Sequence, residues 1–161
     1  MHDDTHTNYV RDIRELGISD ADDAGGKGAN LGELVTAGLP VPPGFVLKRS
    51  AYLDSVRSGG VEAELTALHG EALDHVGDAA RVSELCHRMQ NLVTKVGVCP
   101  AAREQAIAAY RLLGADVVVA VRSSATGEDG RDASFAGMNR TITNVGGEDA
   151  LVQAITQCWM S

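Results

Sequence analysis

The sequence predicts an α/β fold of the α+β kind, built as a single domain. Between residues 58 and 114, apolar positions recur at helical spacing in successive stretches. Residues 116–121, DVVVAV, continue after Asp116 as an unbroken apolar run rich in β-branched residues, which predicts a strand covered on both faces. Clusters of glycine and proline separate these segments, so helices and strands are expected to alternate with short loops.

The first third of the chain is predicted to mix short strands with short helices. Leu31 and Leu34 share a helical face, and Gly38 stands where a glycine commonly ends a helix. Prolines exclude a helix at residues 39–44, and Ser50 is the expected N-cap of the next helix. The expected elements are a strand at 9–16, an acidic loop at 20–26, a helix at 28–37, a strand at 45–47 and a helix at 50–56.

The rest of the chain is predicted to contain a helical insert, at about residues 58–114, followed by strands. Pro100 suits the first turn of a helix, where its missing N–H costs least, and Gly114 suits the end of that helix. The expected elements are helices at 61–76, 78–96 and 101–113, a strand at 116–121, a loop at 122–131, strands at 133–137 and 141–145, and a helix at 147–160.

Composition limits the classes of function. The 161 residues are the size of one ordinary domain, and 44% hydrophobic with 22% charged residues is typical of globular proteins. The formal net charge of -8 argues against a general nucleic-acid or anionic-membrane surface, because both partners require a basic field. Three cysteines without a CxxC pair, and no long apolar segment, predict free thiols in a cytoplasmic protein.

The segment GGKGANLG, residues 25–32, is a glycine-rich turn that enters a helix and carries Lys27. Glycines let the backbone approach a phosphate, the helix start offers unpaired N–H groups, and lysine adds a positive charge. The Walker sequence GxxxxGK[ST] is absent. The residues alone therefore allow either an anion-binding loop or a plain turn.

A second polar group follows the predicted strand at 116–121. Arg122 stands at its end, before a run of hydroxyl side chains, and arginine can hold phosphate oxygens through two hydrogen bonds. The alternative is a structural ion pair of Arg122 with Glu128 or Asp129. A third segment, residues 133–141, ASFAGMNRT, suits either a loop closing over a nucleotide or a hairpin with a glycine bulge.

Four ordered segments together resemble one known family. GGKGANLGEL, AGLPVPPGF, AVRSSATGED and DASFAGMNRT are similar to the N-terminal nucleotide-binding domain of the phosphoenolpyruvate synthase, pyruvate phosphate dikinase and rifampicin phosphotransferase superfamily. The resemblance extends from about residue 25 to the end, although residues 58–113 match only in character. Gly130 and Arg131 stand where relatives often have Leu-Pro, and Met138 replaces a frequent glutamine.

The resemblance implies an ATP-grasp-like fold that holds ATP between two subdomains, of which this chain would be the first. It implies that Lys27 and Arg122 contact the phosphates, and that Gly137 and Thr141 belong to the loop lying against the nucleotide. The glycine turn is then expected close to Arg122. Mg²⁺ would serve the complete family enzyme, but its ligands, the phosphohistidine and the acceptor site are expected outside residues 1–161, which form an incomplete domain.

Three functions remain open on the sequence. The chain is expected to be the ATP-binding part of a dikinase that passes phosphate through a histidine on another domain to pyruvate or another acceptor. The alternatives are a non-catalytic nucleotide- or partner-binding protein, and one chain of a split dikinase completed by a second chain. His69, His75 and His87 are expected to be solvated helix residues and not phosphate carriers.

Overall fold

The computed structural model describes residues 7–124 and 140–161, and in these ranges helices predominate over short strands. The strands are β1 (Val10–Asp12), β2 (Phe45–Leu47), β3 (Val118–Arg122) and β4 (Thr141–Gly146). The α-helices are α1 (Ala21–Thr36), α2 (Arg49–Ser58), α3 (Glu62–Asp74), α4 (Ala79–Val96), α5 (Pro100–Leu112) and α6 (Glu148–Trp159). This mixture confirms the predicted α+β class. The predicted strand at 133–137 lies outside the described residues.

The strands form two separate antiparallel pairs, β1 with β2 and β3 with β4. The main core lies between the β3–β4 pair, α5 and α6, and the side chains of β2 pack against it. Its buried members are Ala106, Tyr110, Val145, Leu151, Ala154 and Ile155. Helices α3 and α4 pack on each other around Leu68 and Leu85, and α4 also contacts α6.

The expected strand at 9–16 is wrong beyond residue 12. The Asp12 side chain accepts a hydrogen bond from the backbone N–H of Arg14 and so begins a 3-10 helix, Ile13–Glu15. A second 3-10 helix, Ile18–Asp20, leads directly into α1. The expected acidic loop at 20–26 is therefore also wrong, because α1 already begins at Ala21 and Gly25 interrupts it.

The expected cap at Ser50 is wrong as well. Helix α2 begins one residue earlier, at Arg49, and its N-cap residue Lys48 makes no side-chain cap hydrogen bond. The Ser50 hydroxyl is buried and has no hydrogen-bond partner among the described residues. Its place inside the first turn removes it from the position where a side-chain oxygen reaches the free N–H groups of the next residues.

The strand expected to be covered on both faces is covered on one. Along β3 the burial alternates, with Val118 59% exposed and its neighbours on the other face half-buried against the core. A β-branched run predicts extended backbone, but only tertiary packing decides which faces are covered. Arg122 therefore lies on an open face of the hairpin instead of at the edge of a buried sheet.

A β-bulge in β4 sets which of its residues face the core. Val121 pairs with Ile142 and Val119 with Val145, so β4 has one extra residue opposite β3. Asn144, one of the two residues in the shifted part of β4, has a left-handed φ of 59°, a conformation that occurs in one class of bulge. As a result, Ile142 and Val145 both pack against the core although they are three positions apart.

Candidate functional site

The glycine turn is a break within α1. Gly25 has φ 76° and ψ 155°, a combination that only glycine adopts readily, and helical geometry resumes after it. A second helix start therefore lies in the middle of α1, and its first N–H groups have no carbonyl acceptor in a preceding helical turn. The predicted glycine-rich entry into a helix is confirmed, displaced into the body of a longer helix.

Two further glycines place this turn against the rest of the fold. A Cβ at Gly28 would lie 2.7 Å from the Val46 side chain of β2, and one at Gly32 would overlap the Leu16 carbonyl. Because these positions carry no side chain, α1 packs directly on β2 and on the 3-10 segment that precedes α1. The position of the turn is thus fixed by backbone contact.

The glycine turn contacts the segment that directly follows β3. The backbone N–H of Lys27 donates to Ser124 Oγ at 3.0 Å, and Lys27 Nζ donates to the Ser123 carbonyl at 2.9 Å. Ser123 is the residue after Arg122, so the lysine and the arginine come from two joined segments. The expected proximity of the turn to the strand end is confirmed, while contact of either residue with a nucleotide stays a prediction.

Arg122 and Thr141 lie side by side at one end of the β3–β4 hairpin. They are partners in the strand register, and both are exposed. Within residues 7–124 and 140–161, the Arg122 guanidinium makes no hydrogen bond or ion pair. Its charge is therefore accessible to an anion. The fourth predicted site residue, Gly137, and the alternative ion-pair partners Glu128 and Asp129 lie outside the described residues.

Ser123 joins the two strands beyond their last paired residues. Its N–H donates to the Arg140 carbonyl at 2.9 Å, and its hydroxyl accepts from the Arg140 N–H at 2.8 Å. The two hydroxyls that follow Arg122 thus have different roles, since Ser123 binds the neighbouring strand and Ser124 binds the glycine turn. Sequence reasoning assigned no individual contact to either serine.

The 3-10 helix before α1 contains a carboxyl group with a shifted pKa, that of Asp20. The N–H of Gly17 and then the Arg11 guanidinium, 2.6 Å from Asp20 Oδ1, hold the pKa of Asp20 below its usual range. At the start of α1, Asp23 lies 3.3 Å from Lys48 Nζ. Lys48 is therefore neutralised locally and is a weaker candidate for an anion contact than Arg122.

The arrangement has the components that an anion site on a surface requires. It combines a lysine in a glycine turn, a helix start and an exposed arginine, which are the groups that hold phosphate in proteins. A cavity of about 510 Å³ lies elsewhere, between α3, α4 and the end of α6. Within the described residues Arg122 is exposed and Lys27 is only partly buried, so a ligand held by both would contact water there.

The fold and this junction define a small α+β domain suited to phosphate binding, and comparison with known proteins defines the family. The sequence model of the pyruvate phosphate dikinase AMP/ATP-binding domain matches residues 21–161, and the chain belongs to this family. A probable phosphoenolpyruvate synthase of Methanothermobacter thermautotrophicus is 37% identical over 98% of the chain, and one of Archaeoglobus fulgidus is 40% identical over 85%.

A bacterial relative, the phosphoenolpyruvate synthase of Pseudomonas aeruginosa, is 35% identical over 95% of the chain. All three relatives are much longer proteins. The chain spans 24%, 18% and 20% of their respective lengths. The activity of these whole relatives is therefore only proposed for this chain.

Two further expectations can be compared with the structure. None of the three cysteines is in a disulfide; Cys86 and Cys99 are partly buried and Cys158 is buried. His69, His75 and His87 are all exposed, as expected. No helix in the described ranges is both long and apolar enough to cross a bilayer. The cytoplasmic location stays a prediction.

Proposed function

We propose that the junction between the glycine turn and the end of β3 binds the polyphosphate of ATP. The observation that carries this proposal is the docking of Lys27 on the residue after Arg122, in a chain of the AMP/ATP-binding domain family. Two cationic side chains and a helix start then lie at one place. Each is suited to phosphate oxygens, and together they offset the repulsion between an overall acidic chain and an anionic ligand.

The proposed contacts divide by chemistry. Lys27 supplies a point charge, and the planar Arg122 guanidinium supplies paired donors to phosphate oxygens. Thr141, beside Arg122 in the hairpin, offers a hydroxyl on the same exposed face. Gly137 is proposed, from the family resemblance alone, to let the backbone approach the nucleotide.

We further propose that the chain acts as the ATP-binding portion of a phosphotransferase of the phosphoenolpyruvate synthase kind. Its own residues hold the phosphates and neutralise their charge, which is the main requirement of phosphoryl transfer. Mg²⁺, when bound with the nucleotide, supplies further charge neutralisation. A histidine carrying the phosphate and the acceptor site are proposed to come from segments other than those described, in the same chain or in a partner chain.

Affinity of the chain by itself should be weak. Arg122 is exposed and Lys27 is only partly buried, so water competes for both charges. We expect a Kd for ATP of about 0.1 to 1 mM, equivalent to about 4 to 5.5 kcal/mol. Added Mg²⁺ should not tighten binding, because it neutralises the phosphate charge that Lys27 and Arg122 use.

Titration calorimetry on four variants tests the site. Lys27→Ala and Arg122→Ala should each weaken ATP binding while the circular dichroism spectrum stays unchanged. His75→Ala and His87→Ala serve as controls, since both side chains are exposed and lie in or beside α3 and α4, which contribute no site residue. Wild-type affinity in the Arg122 variant, or micromolar binding that depends on Mg²⁺, would refute this site.

A further inference from the structure

We propose that Ser124 is a positioning residue that holds Lys27 in place for the phosphates; this inference rests on the proposed function. Its hydroxyl is the acceptor for the backbone N–H of Lys27, at 3.0 Å. That N–H belongs to the first turn after the break at Gly25, where no helical carbonyl is available to it. Ser124 therefore completes the helix start from a distant segment.

The contact is close because Gly25 has no side chain. A Cβ at Gly25 would lie 2.8 Å from Ser124 Cβ and closer still to its hydroxyl, so the serine occupies the space that a side chain would take. The left-handed φ of 76° turns the Gly25 backbone so that this approach is possible. The glycine and the serine thus form a matched pair, one providing the space and the other filling it.

The consequence for the lysine follows from the hydrogen bonds that Lys27 makes to Ser124 and Ser123. Its backbone is held by the Ser124 hydroxyl, and its ammonium lies 2.9 Å from the neighbouring Ser123 carbonyl. The backbone and the side-chain end of Lys27 are thus both hydrogen-bonded to the residues that follow Arg122. Ser124 sets the separation of the two cations, and a ligand that spans them requires this separation to be fixed.

The role assigned to Ser124 differs from direct binding. The Ser124 hydroxyl accepts from the Lys27 N–H and keeps its own O–H donor, which a direct phosphate contact would use; in the role proposed here it acts on the nucleotide through the lysine. Removing the hydroxyl should therefore weaken binding only while the Lys27 side chain is present. This separates a positioning residue from one that contacts phosphate itself.

The experiment uses the complete chain and two readouts. In the nucleotide-free protein, Ser124→Ala should speed amide hydrogen exchange at Lys27 by about 3- to 10-fold, the factor corresponding to loss of one net hydrogen bond. Ser58→Ala is the control, because the Ser58 hydroxyl donates to the Ser55 carbonyl within α2 and touches neither segment. This control should leave the exchange of Lys27 unchanged.

The second readout is a double-mutant cycle on ATP affinity, measured by calorimetry. Ser124→Ala should weaken binding about 3- to 10-fold in the native background and by less than about twofold in the Lys27→Ala background. An equal loss in both backgrounds, or unchanged exchange at Lys27, overturns the proposal. If the unmodified chain binds no ATP, the proposed function fails by itself, and the exchange measurement still decides whether Ser124 fixes the turn.

Discussion

Replacing Gly25 with alanine tests the close contact between the glycine turn and β3. Gly25 and Gly38 have almost the same φ, 76° and 75°, but they differ in surroundings. A Cβ at Gly38 meets nothing within 4 Å, whereas at Gly25 it would press on Ser124. Gly38→Ala therefore measures the cost of an alanine at positive φ in open space. Gly25→Ala measures the cost of an alanine in its own conformation, φ 76° and ψ 155°, together with the clash.

The expected magnitudes follow from these surroundings. A left-handed alanine costs about 1 to 2 kcal/mol, which is the whole loss expected for Gly38→Ala. An alanine in the Gly25 conformation costs about 1 to 3 kcal/mol, and overpacking at a fixed contact adds about 1 to 3 kcal/mol. Gly25→Ala should therefore lower the free energy of unfolding by about 2 to 6 kcal/mol. The gain from a less flexible unfolded chain is similar for both variants and cancels in the comparison.

Urea denaturation followed by circular dichroism measures both losses. Ser124→Gly removes the side-chain atoms that the new methyl group would meet, so in that background Gly25→Ala should cost about 1 to 3 kcal/mol less than in the native background. If the cost of Gly25→Ala differs by less than about 0.5 kcal/mol between the native and the Ser124→Gly backgrounds, the turn and the strand end are not in tight contact. The docking of Lys27 would then lose its physical basis.

Three further predictions concern the thiols, the acid limb and the core. Cys158 is buried, and burial raises the pKa of its thiol, so at pH 8 iodoacetamide should label it more slowly than Cys86 or Cys99, as read by peptide mass spectrometry; equal rates would contradict its burial. The pKa of Asp20 is depressed in the folded protein, so its ionised carboxylate stabilises the fold above the unfolded pKa. This stabilisation is lost as pH falls through the folded pKa, and Asp20→Asn should therefore flatten the fall in urea midpoint between about pH 5 and 3. An unchanged slope would exclude this role. Leu85→Ala should cost about 2 to 5 kcal/mol because Leu85 is fully buried, whereas Leu112→Ala, at an 88% exposed residue, should cost under about 0.5 kcal/mol; similar losses would contradict the packing of α4.

Local patterns in the sequence predicted the helices well. The apolar repeat that includes Leu85 and Val93 identified α4, and Pro100 was placed correctly in the first turn of α5. These signals act within a few residues, so a sequence window contains them. The glycine turn was also identified, because consecutive glycines beside a lysine are rare inside a helix.

Features that depend on distant contacts were not predictable in the same way. Ser124 meets Lys27 across 97 positions, and a serine after a strand carries no sign of its partner. The open face of β3 was missed for the same reason, because Val118 looks identical in sequence whether or not another layer covers it. The Asp12 cap that ends β1 is a local feature. A single aspartate beside an apolar run is, however, compatible with a strand that continues as well as with one that ends in a capped turn.

The extra residue in β4 makes chain length, more than residue identity, the constraint on this hairpin. Side chains alternate along a regular strand, so with Val145 facing inward, Thr141 would face inward too and Ile142 outward. The observed order is the reverse, with Thr141 exposed and Ile142 packed on the core. Substitution at Thr143 should leave that order intact, whereas deletion of Thr143 would exchange the two faces and turn Thr141 away from Arg122.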